Sequence, residues 1–557
     1  MPWRVLECIK WPLLAMARSF TLANIAPMPV RKLRHFPFHC ALTINLLRKA
    51  LIAIAFVILL PIIPAFASTF YVAPNGNDSN LGASNSPFAT IMRAQAAAHS
   101  GDTVYLRGGT YFLNNSQLTA TNNPWAIVNN INKSGVSYLA FPGERPIFDF
   151  SSVKPTGYRV TAFLVTASDC IFKGFDVVGV QVTIAGTHTQ SENFRVAGGN
   201  RNRFEQLVMR DGMANGWYLT KGASNLVLNC DAYNNRGLDS GSIGNVDGFG
   251  CHPNAMSGSG NVIRGCRAWF NSDDGYDCIN AFAAVTFENC WAFYNGYFTN
   301  FSRSGGDANG FKAGGYGISG SPVPSVIPRH EVTFCLAVRN RASGFYANHH
   351  LGGIDWINNT AYRNAANFNL LCSTDNHSGT NDVPGFAQVM KNNLGYKGSA
   401  EVSNLGSSND VSFNFFTLAV TVASNDFMTL DESLLTAPRQ ANGDLPYIAF
   451  AQLVSGSDLR DAGTNAGFAF AGAAPDLGAF EYGIRPGPLL RLETTESNLI
   501  FQCSGGPGGG TNYLLSATSL TSAWLRESTN QFDLTGNATF TNPLPATAQK
   551  FHRLQLP

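Results

Sequence analysis

The sequence predicts an all-β chain wound as a right-handed parallel β-helix, and three observations carry that prediction. They are a short motif repeated at coil-length intervals, a second motif repeated in step with it, and a composition rich in glycine and poor in charge. The first motif recurs as Cys230-Asp-Ala-Tyr-Asn-Asn235, Cys266-Arg-Ala-Trp-Phe-Asn271, Cys290-Trp-Ala-Phe-Tyr-Asn295, Cys335-Leu-Ala-Val-Arg-Asn340 and Thr360-Ala-Tyr-Arg-Asn364, with starts 36, 24, 45 and 25 residues apart. The short intervals fit one solenoid coil of three strands, and the long ones the same coil with a loop inserted. With 55 glycines, 13% charged and 45% hydrophobic residues in 557, the chain has the turns and the apolar content of a stacked β fold.

Stacking places equivalent residues in columns about 4.8 Å apart. Cys230, Cys266, Cys290 and Cys335 are then one column, expected to be a ladder of small buried thiols rather than disulfides. Asn235, Asn271, Asn295 and Asn340 are another, expected to satisfy turn backbone, since asparagine tolerates the left-handed conformation. Ser86-Pro87 predicts the start of a capping helix that ends near Gly101 and covers the open end of the solenoid. The repeats fade after Asn393. Pro486-Gly-Pro488 reads as a linker to a small β-rich C-terminal module.

The expected organisation is a leader over residues 1–67, a β-helix over 68–483 and the module over 484–557. In the leader, Arg48 and Lys49 precede an apolar run from Ala50 to Pro64, followed by Ala65-Phe66-Ala67, a small-x-small cleavage pattern. Met28 is an alternative start. The run is too short and too interrupted by proline to predict a membrane span in the mature chain, so secretion is expected, to the extracellular space or the periplasm. Beyond residue 67 the chain holds 30 basic and 35 acidic residues, a net charge of −5. That balance argues against a nucleic-acid partner. A monomer is expected.

The second motif places the chemistry. Asp247-Gly-Phe-Gly-Cys251, Asp274-Gly-Tyr-Asp-Cys278, Asn309-Gly-Phe-Lys-Ala313 and Ser343-Gly-Phe-Tyr-Ala347 align on successive coils. The alignment stacks Asp247, Asp274 and Asn309 in one column and Gly250, Asp277, Lys312 and Tyr346 in the next. Asp247, Asp273, Asp274 and Asp277 then crowd together, and like charges so close need a cation. An all-oxygen cluster selects Ca²⁺ over softer metals, though the spacing is not that of an EF-hand. Both Asp273 and Asp274 can face the ion only if the chain bends between them.

A lysine beside a cation loses its hold on its proton and gains the capacity to act as a base. With a uronate carboxylate on the same cation, the proton on C5 is acidified, and its removal with expulsion of the C4 oxygen cuts the polymer without water. The plainer alternatives are Asp-Gly pairs that cap turns and a Lys312–Asp277 salt bridge.

These motifs resemble the calcium-dependent pectate lyases of polysaccharide lyase family nine. The resemblance runs from Thr69 to Tyr482 and is strongest in Asn245-Val-Asp-Gly-Phe249, Arg264-Gly-Cys-Arg-Ala-Trp269, Asn271-Ser-Asp-Asp-Gly-Tyr-Asp277 and Asn309-Gly-Phe-Lys312, with Phe70-Tyr-Val-Ala-Pro-Asn-Gly76 and Gly101-Asp-Thr-Val-Tyr105 at its start. It implies that Asp247, Asp273, Asp274 and Asp277 hold Ca²⁺, that Lys312 is the base, and that the partner is an acidic polysaccharide such as pectate. His252 stands where the family often carries lysine, and Tyr346-Ala347 replaces a more polar pair. These departures bear on the substrate more than on the reaction.

Arg264, Arg267 and Arg341 are candidate carboxylate clamps, because guanidinium binds carboxylate through a bidentate fork. Tyr346 and His349 are candidate sugar contacts. His349 and His350 otherwise read as surface or turn residues. Three rival readings remain open at this stage: a lyase of rhamnogalacturonan or another uronate polymer, a non-catalytic polysaccharide-binding β-helix or adhesin, and a hydrolase using paired carboxylates, which leaves the lysine without a purpose. The choice between pectate and another uronate polymer would be set by subsite shape, which comes from inserted loops such as 297–306 and 316–328.

Overall fold

The structure, a computed structural model, describes residues 67–555 apart from 185, 187–189, 239–242, 318–320, 376–380, 484–488, 496, 505–510, 520–521, 533–537 and 545–549. The expected leader lies outside the described residues except for Ala67. No helix among them is long and apolar enough to cross a membrane.

From Thr69 to Ser412 the chain winds through three sheets, which among the described residues hold 12, 10 and 11 strands. Neighbours in each sheet belong to successive coils and pair in parallel, apart from an antiparallel edge between Ala120–Asn122 and Trp125–Ile131. The repeats stack residue on residue, as Ala232, Ala268, Ala292, Ala337 and Ala361 show by pairing in one row. Cys230, Cys266, Cys290 and Cys335 form the expected thiol column. All nine cysteines from Cys170 onward are buried and free. The fifth copy of the motif starts one residue earlier than its sequence suggests, since Asn359 takes the cysteine place and accepts the Cys335 N–H at 2.9 Å.

The asparagine column bonds as a continuous amide ladder. Asn235, Asn271, Asn295 and Asn340 each donate Nδ2 to the Oδ1 of the next, ending on Asn364, at 2.9–3.1 Å. The left-handed residues are not these asparagines but the ones before them, Asn234, Phe270, Tyr294, Arg339 and Arg363, with φ of 48–59°. The preceding residue makes the turn so that the amide can point inward along the stack.

Inside the third sheet, Phe249, Tyr276, Phe311, Phe345 and Phe368 stack face to face with centroids 4.6–5.1 Å apart. Strand alternation then turns the residue after each aromatic outward. Those residues are Gly250, Asp277, Lys312, Tyr346 and Asn369.

The capping helix spans Ile91–Ala97, with Thr90 as N-cap accepting the Arg93 N–H at 3.1 Å. It starts later than Ser86-Pro87 suggests. Ser86 donates its N–H to Ala83 O in a tight turn, and Asp78 holds the Thr90 N–H and hydroxyl. The solenoid also outlasts its visible repeats, with further strands at Leu394–Tyr396 and Asp410–Ser412. A strap then returns along the outer face of the second sheet, laying Phe427, Leu435, Phe450, Leu453 and Leu477 on Trp291, Phe293, Leu336 and Val338. Arg439 from the strap joins Arg267 on buried Asp231. Burial alone would raise the Asp231 carboxyl, but the two guanidiniums hold it down at about 2. Arg267 is thereby committed to the packing of the strap. Residues Leu489–Gln555 form two three-stranded antiparallel sheets around Leu499, Phe501, Leu514, Phe532 and Phe540.

Replacing Asn295 by alanine would take the acceptor from the Asn271 N–H and the Nδ2 donor from Ala268 O, leaving Asn340 Oδ1 with the backbone N–H of residue 295. Asn295→Ala is expected to cost about 2–4 kcal/mol, at about 1–3 kcal/mol per unsatisfied group. Equilibrium urea denaturation measures it; a loss below about 0.5 kcal/mol would show that the ladder contributes little.

Candidate functional site

The outward row of the third sheet runs, coil by coil, through Tyr218, Gly250, Asp277, Lys312, Tyr346 and Asn369, each paired in backbone register with the next. Three residues earlier on each coil lies a second row joined by side-chain to backbone bonds. Asn215 Oδ1 accepts the Asp247 N–H, Asp247 Oδ1 that of Asp274, Asp274 Oδ1 that of Asn309, and Asn309 Oδ1 that of Ser343, at 2.6–3.1 Å. Both columns expected from the aligned motif are therefore present.

The glycines that follow this second row are a packing requirement. A Cβ on Gly248, Gly275 or Gly310 would lie 2.6–2.7 Å from a carbonyl oxygen of the next coil and within 2.8–3.0 Å of an Asn271, Asn295 or Asn340 amide nitrogen. The Asp-Gly pairs thus let coils approach closely here. Of the side chains that precede these glycines, Asp274 is fully buried, and Asp247 lines a cleft of about 510 Å³, with Gln190, Tyr218, His252, Asp273, Asp277, Asp307, Lys312 and His349 among its other walls.

At its floor, Lys312 Nζ lies 3.1 Å from Asp274 Oδ2, 3.3 Å from Asp277 Oδ2 and 3.4 Å from Asp307 Oδ2. The lysine is 8% exposed, and Asp247, Asp273, Asp274 and Asp277 are all buried. The chain bends at Ser272–Asp273, which sends Asp273 toward Asp307 and Ala308, whose N–H groups its Oδ1 accepts. The carboxylates consequently gather in two groups that share Asp274. Asp247, Asp274 and Asp277 make one, and Asp273, Asp274 and Asp307 the other, each with oxygens within 4.8 Å of one another.

Burial, then Asp277 and Asp274, pushes the Asp247 carboxyl far above its ordinary value. Burial, then Asp274 and Asp247, does the same to Asp273. Burial raises Asp274 to about 6 against the pull of Lys312. Burial alone would lower the Lys312 ammonium, yet Asp274, Asp277, Asp273 and Asp307 outweigh it and hold it well above the ordinary lysine value. One ammonium thus faces several buried carboxylates. Asp274 Oδ2 receives no hydrogen bond among the described residues. Excess buried negative charge, with the Lys312 ammonium as the cation facing Asp274 Oδ2, fits a hard divalent cation, as does the all-oxygen donor set.

The family model for the Pel9A-like right-handed β-helix region matches residues 70–393. The chain belongs to this family. It is a polysaccharide lyase, and the pectate lyase L of Dickeya chrysanthemi is 36% identical to it over 428 residues, covering 74% of this chain and 90% of that protein. Among solved structures, a rhamnogalacturonan lyase superposes with a TM-score of 0.67 at 46% identity, covering 70% of this chain and 97% of that one. Pectate lyase Pel9A superposes with a TM-score of 0.61 at 32% identity, covering 74% and 96%.

Of the residues singled out in the sequence of this family member, the fold brings together Asp247, Asp273, Asp274, Asp277 and Lys312, with Tyr346 and His349 beside them. Arg264 is elsewhere, ion-paired to Glu288 at 2.7 Å between strands of the first sheet. Arg341 donates to Ser304 O at 3.0 Å and does not line the cleft. His350 is buried core rather than surface, accepting the Gly315 N–H at 3.2 Å. His252 lies in the cleft, Nδ1 on Ile279 O at 2.6 Å and Nε2 unpartnered.

Asp307, Tyr218 and Gln190 were not anticipated. Asp307 sits two residues before Asn309 in the aligned motif, an offset that could have flagged it; Tyr218 and Gln190 precede the first recognisable copy.

In the unfolded chain Asp247, Asp273 and Asp274 ionise near 3.8, whereas in the cation-free fold these three keep their protons to higher pH, Asp274 to about 6. Stability without a cation therefore falls as pH rises through that window, and a cation binding the ionised forms restores it. The Tm rise produced by a divalent cation is expected to be larger at about pH 8 than at about pH 5, and Asp274→Asn is expected to lose most of it. Equal shifts at both pH values, or an unchanged shift in the variant, would place the cation elsewhere.

Proposed function

We propose that the protein is a secreted lyase that cuts a galacturonate-containing pectic backbone by calcium-assisted β-elimination, with Lys312 as the base. The observation that carries the reading is the register Asp277–Lys312 in adjacent strands, which sets an ammonium against the carboxylate cluster. Among the described residues lining the cleft, Lys312 is the one lysine or arginine.

Asp247, Asp274 and Asp277 would hold the calcium, with Asp273 and Asp307 completing the negative wall. Bound there, calcium would neutralise a uronate carboxylate and acidify the proton on C5. Lys312 takes that proton, the C5–H electron pair becomes the C4=C5 bond, and the C4 oxygen departs with the C4–O electrons. The carboxylates that hold the ammonium are the same groups that would turn to the cation. With Asp274 and Asp277 drawn to a cation, Lys312 would lose the partners that hold its proton and would be free to act as the base.

A pectate backbone, with a carboxylate on each sugar, is one substrate consistent with this cleft. A rhamnogalacturonan backbone, with carboxylates on alternate sugars, is the second reading. It is favoured by the 46% identity to a rhamnogalacturonan lyase and by the scarcity of cationic side chains along the cleft.

Incubation with polygalacturonate and with rhamnogalacturonan, followed by near-ultraviolet absorbance, tests both. The unsaturated product is expected to appear with calcium and not with chelator, and more readily as pH rises above neutrality, because the base must shed its proton. Lys312→Ala is expected to lose about 10²–10⁴-fold in kcat. Full activity in that variant would remove the lysine from the chemistry, and preference for one polymer decides the substrate.

A further inference from the structure

Elimination leaves a third task beyond carboxylate neutralisation and proton removal, which is protonation of the departing C4 oxygen. The next residue of the row after Lys312 is Tyr346. Its hydroxyl lies 2.9 Å from His349 Nε2, and His349 Nδ1 lies 2.5 Å from Asp382 Oδ1. We infer that Tyr346 is the proton donor to the leaving oxygen, with His349 and Asp382 as the residues that position and resupply it. The inference rests on the eliminative reading above.

Three features of the molecule support it. Asp277, Lys312 and Tyr346 occupy consecutive places in one row, about 4.8 Å apart, in the order carboxylate cluster, base, hydroxyl. A uronate presents its carboxylate carbon C6, then C5 with the acidic proton, then C4 with the leaving oxygen, in the same order. The two side chains also divide the space between them. Lys312 turns back to Asp274 and Asp277, on the preceding coil. Tyr346 instead turns to His349, whose carboxylate partner comes from the insertion that holds Asp382–Val383. Finally, the backbone is strained to put His349 there. Asn348 and His349 are consecutive non-glycine residues at φ of 52° and 57°, an uncommon conformation, and Asn348 is pinned by its Nδ2 to Gly314 O at 2.7 Å.

The bond-breaking step needs no water as reactant. As Lys312 Nζ accepts the C5 proton and the C4–O bond breaks, the Tyr346 O–H proton passes to the C4 oxygen. The phenolate recovers a proton from solvent relayed along its hydrogen bond to His349 Nε2, while Nδ1 stays on Asp382. Solvent then takes the proton from Lys312.

The test compares two substrates on the full-length chain with calcium. One is a uronate oligomer of the preferred polymer. The other is a uronoside carrying 4-nitrophenoxide at C4, a leaving group that needs no proton. Tyr346→Phe is expected to lose about 10²-fold or more in kcat on the oligomer and little on the nitrophenoxide. His349→Gln should show the same dependence on leaving group to a smaller degree, and Lys312→Ala should lose both. Equal losses on the two substrates in Tyr346→Phe, or no loss on the oligomer, would overturn the assignment. A wild-type protein that eliminates neither substrate would overturn the lyase chemistry of the previous section together with this step.

Discussion

Asp277, Lys312 and Tyr346 are backbone partners in successive parallel strands, and the contacts of Lys312 with the carboxylates of the preceding coil depend on that register. A parallel ladder holds equivalent residues about 4.8 Å apart, so one residue type per coil becomes a row of chosen chemistry. Here the register is fixed from both sides. The aromatic stack from Phe249 to Phe368 locks it from within. The amide ladder from Asn235 to Asn364 locks it at the corner. A slip by one residue would bury Lys312 and expose Phe311.

The same rigidity lets the fold bear an electrostatic load. Buried carboxylates repel and lose hydration, a penalty of several kcal/mol for each unpaired ion. The structure offsets part of it with backbone N–H donors, two of them on Asp273 and one on Asp247, and part with Lys312. What remains uncompensated would favour a bound cation. Packing and chemistry meet in the Asp-Gly pairs, where the glycine admits the neighbouring coil and the preceding carboxylate joins the acidic cluster.

Much of this was legible in the sequence because a solenoid writes its third dimension as repetition. Aligning four short motifs was enough to stack Asp247 on Asp274 and Asp277 on Lys312, and the cysteine spacing was enough to argue for a ladder of free thiols. What escaped was whatever does not repeat. Asp307 stands where the two preceding copies have Asn245 and Ser272, Asp382 comes from an insertion, and Gln190 and Tyr218 precede the first copy. The late start of the helix at Ile91 reflects a tight turn around Ala83–Ser86 and a side chain, Asp78, that reaches across it. Arg264 illustrates the reverse failure. Its motif is close to the site in sequence, but its strand belongs to the first sheet, where Glu288 claims the guanidinium.

The central claim is that the carboxylate row one coil from Lys312 is a cation site that controls the lysine. The most direct measurement is a crystal structure of the full-length protein soaked in calcium, with the ion located by its anomalous scattering. The account predicts an ion at about 2.3–2.6 Å from oxygens of Asp247, Asp274 and Asp277, with Lys312 Nζ moved away from Asp274 Oδ2. A cleft that takes up no ion at millimolar calcium, with Lys312 still paired to Asp274 and Asp277, would contradict it.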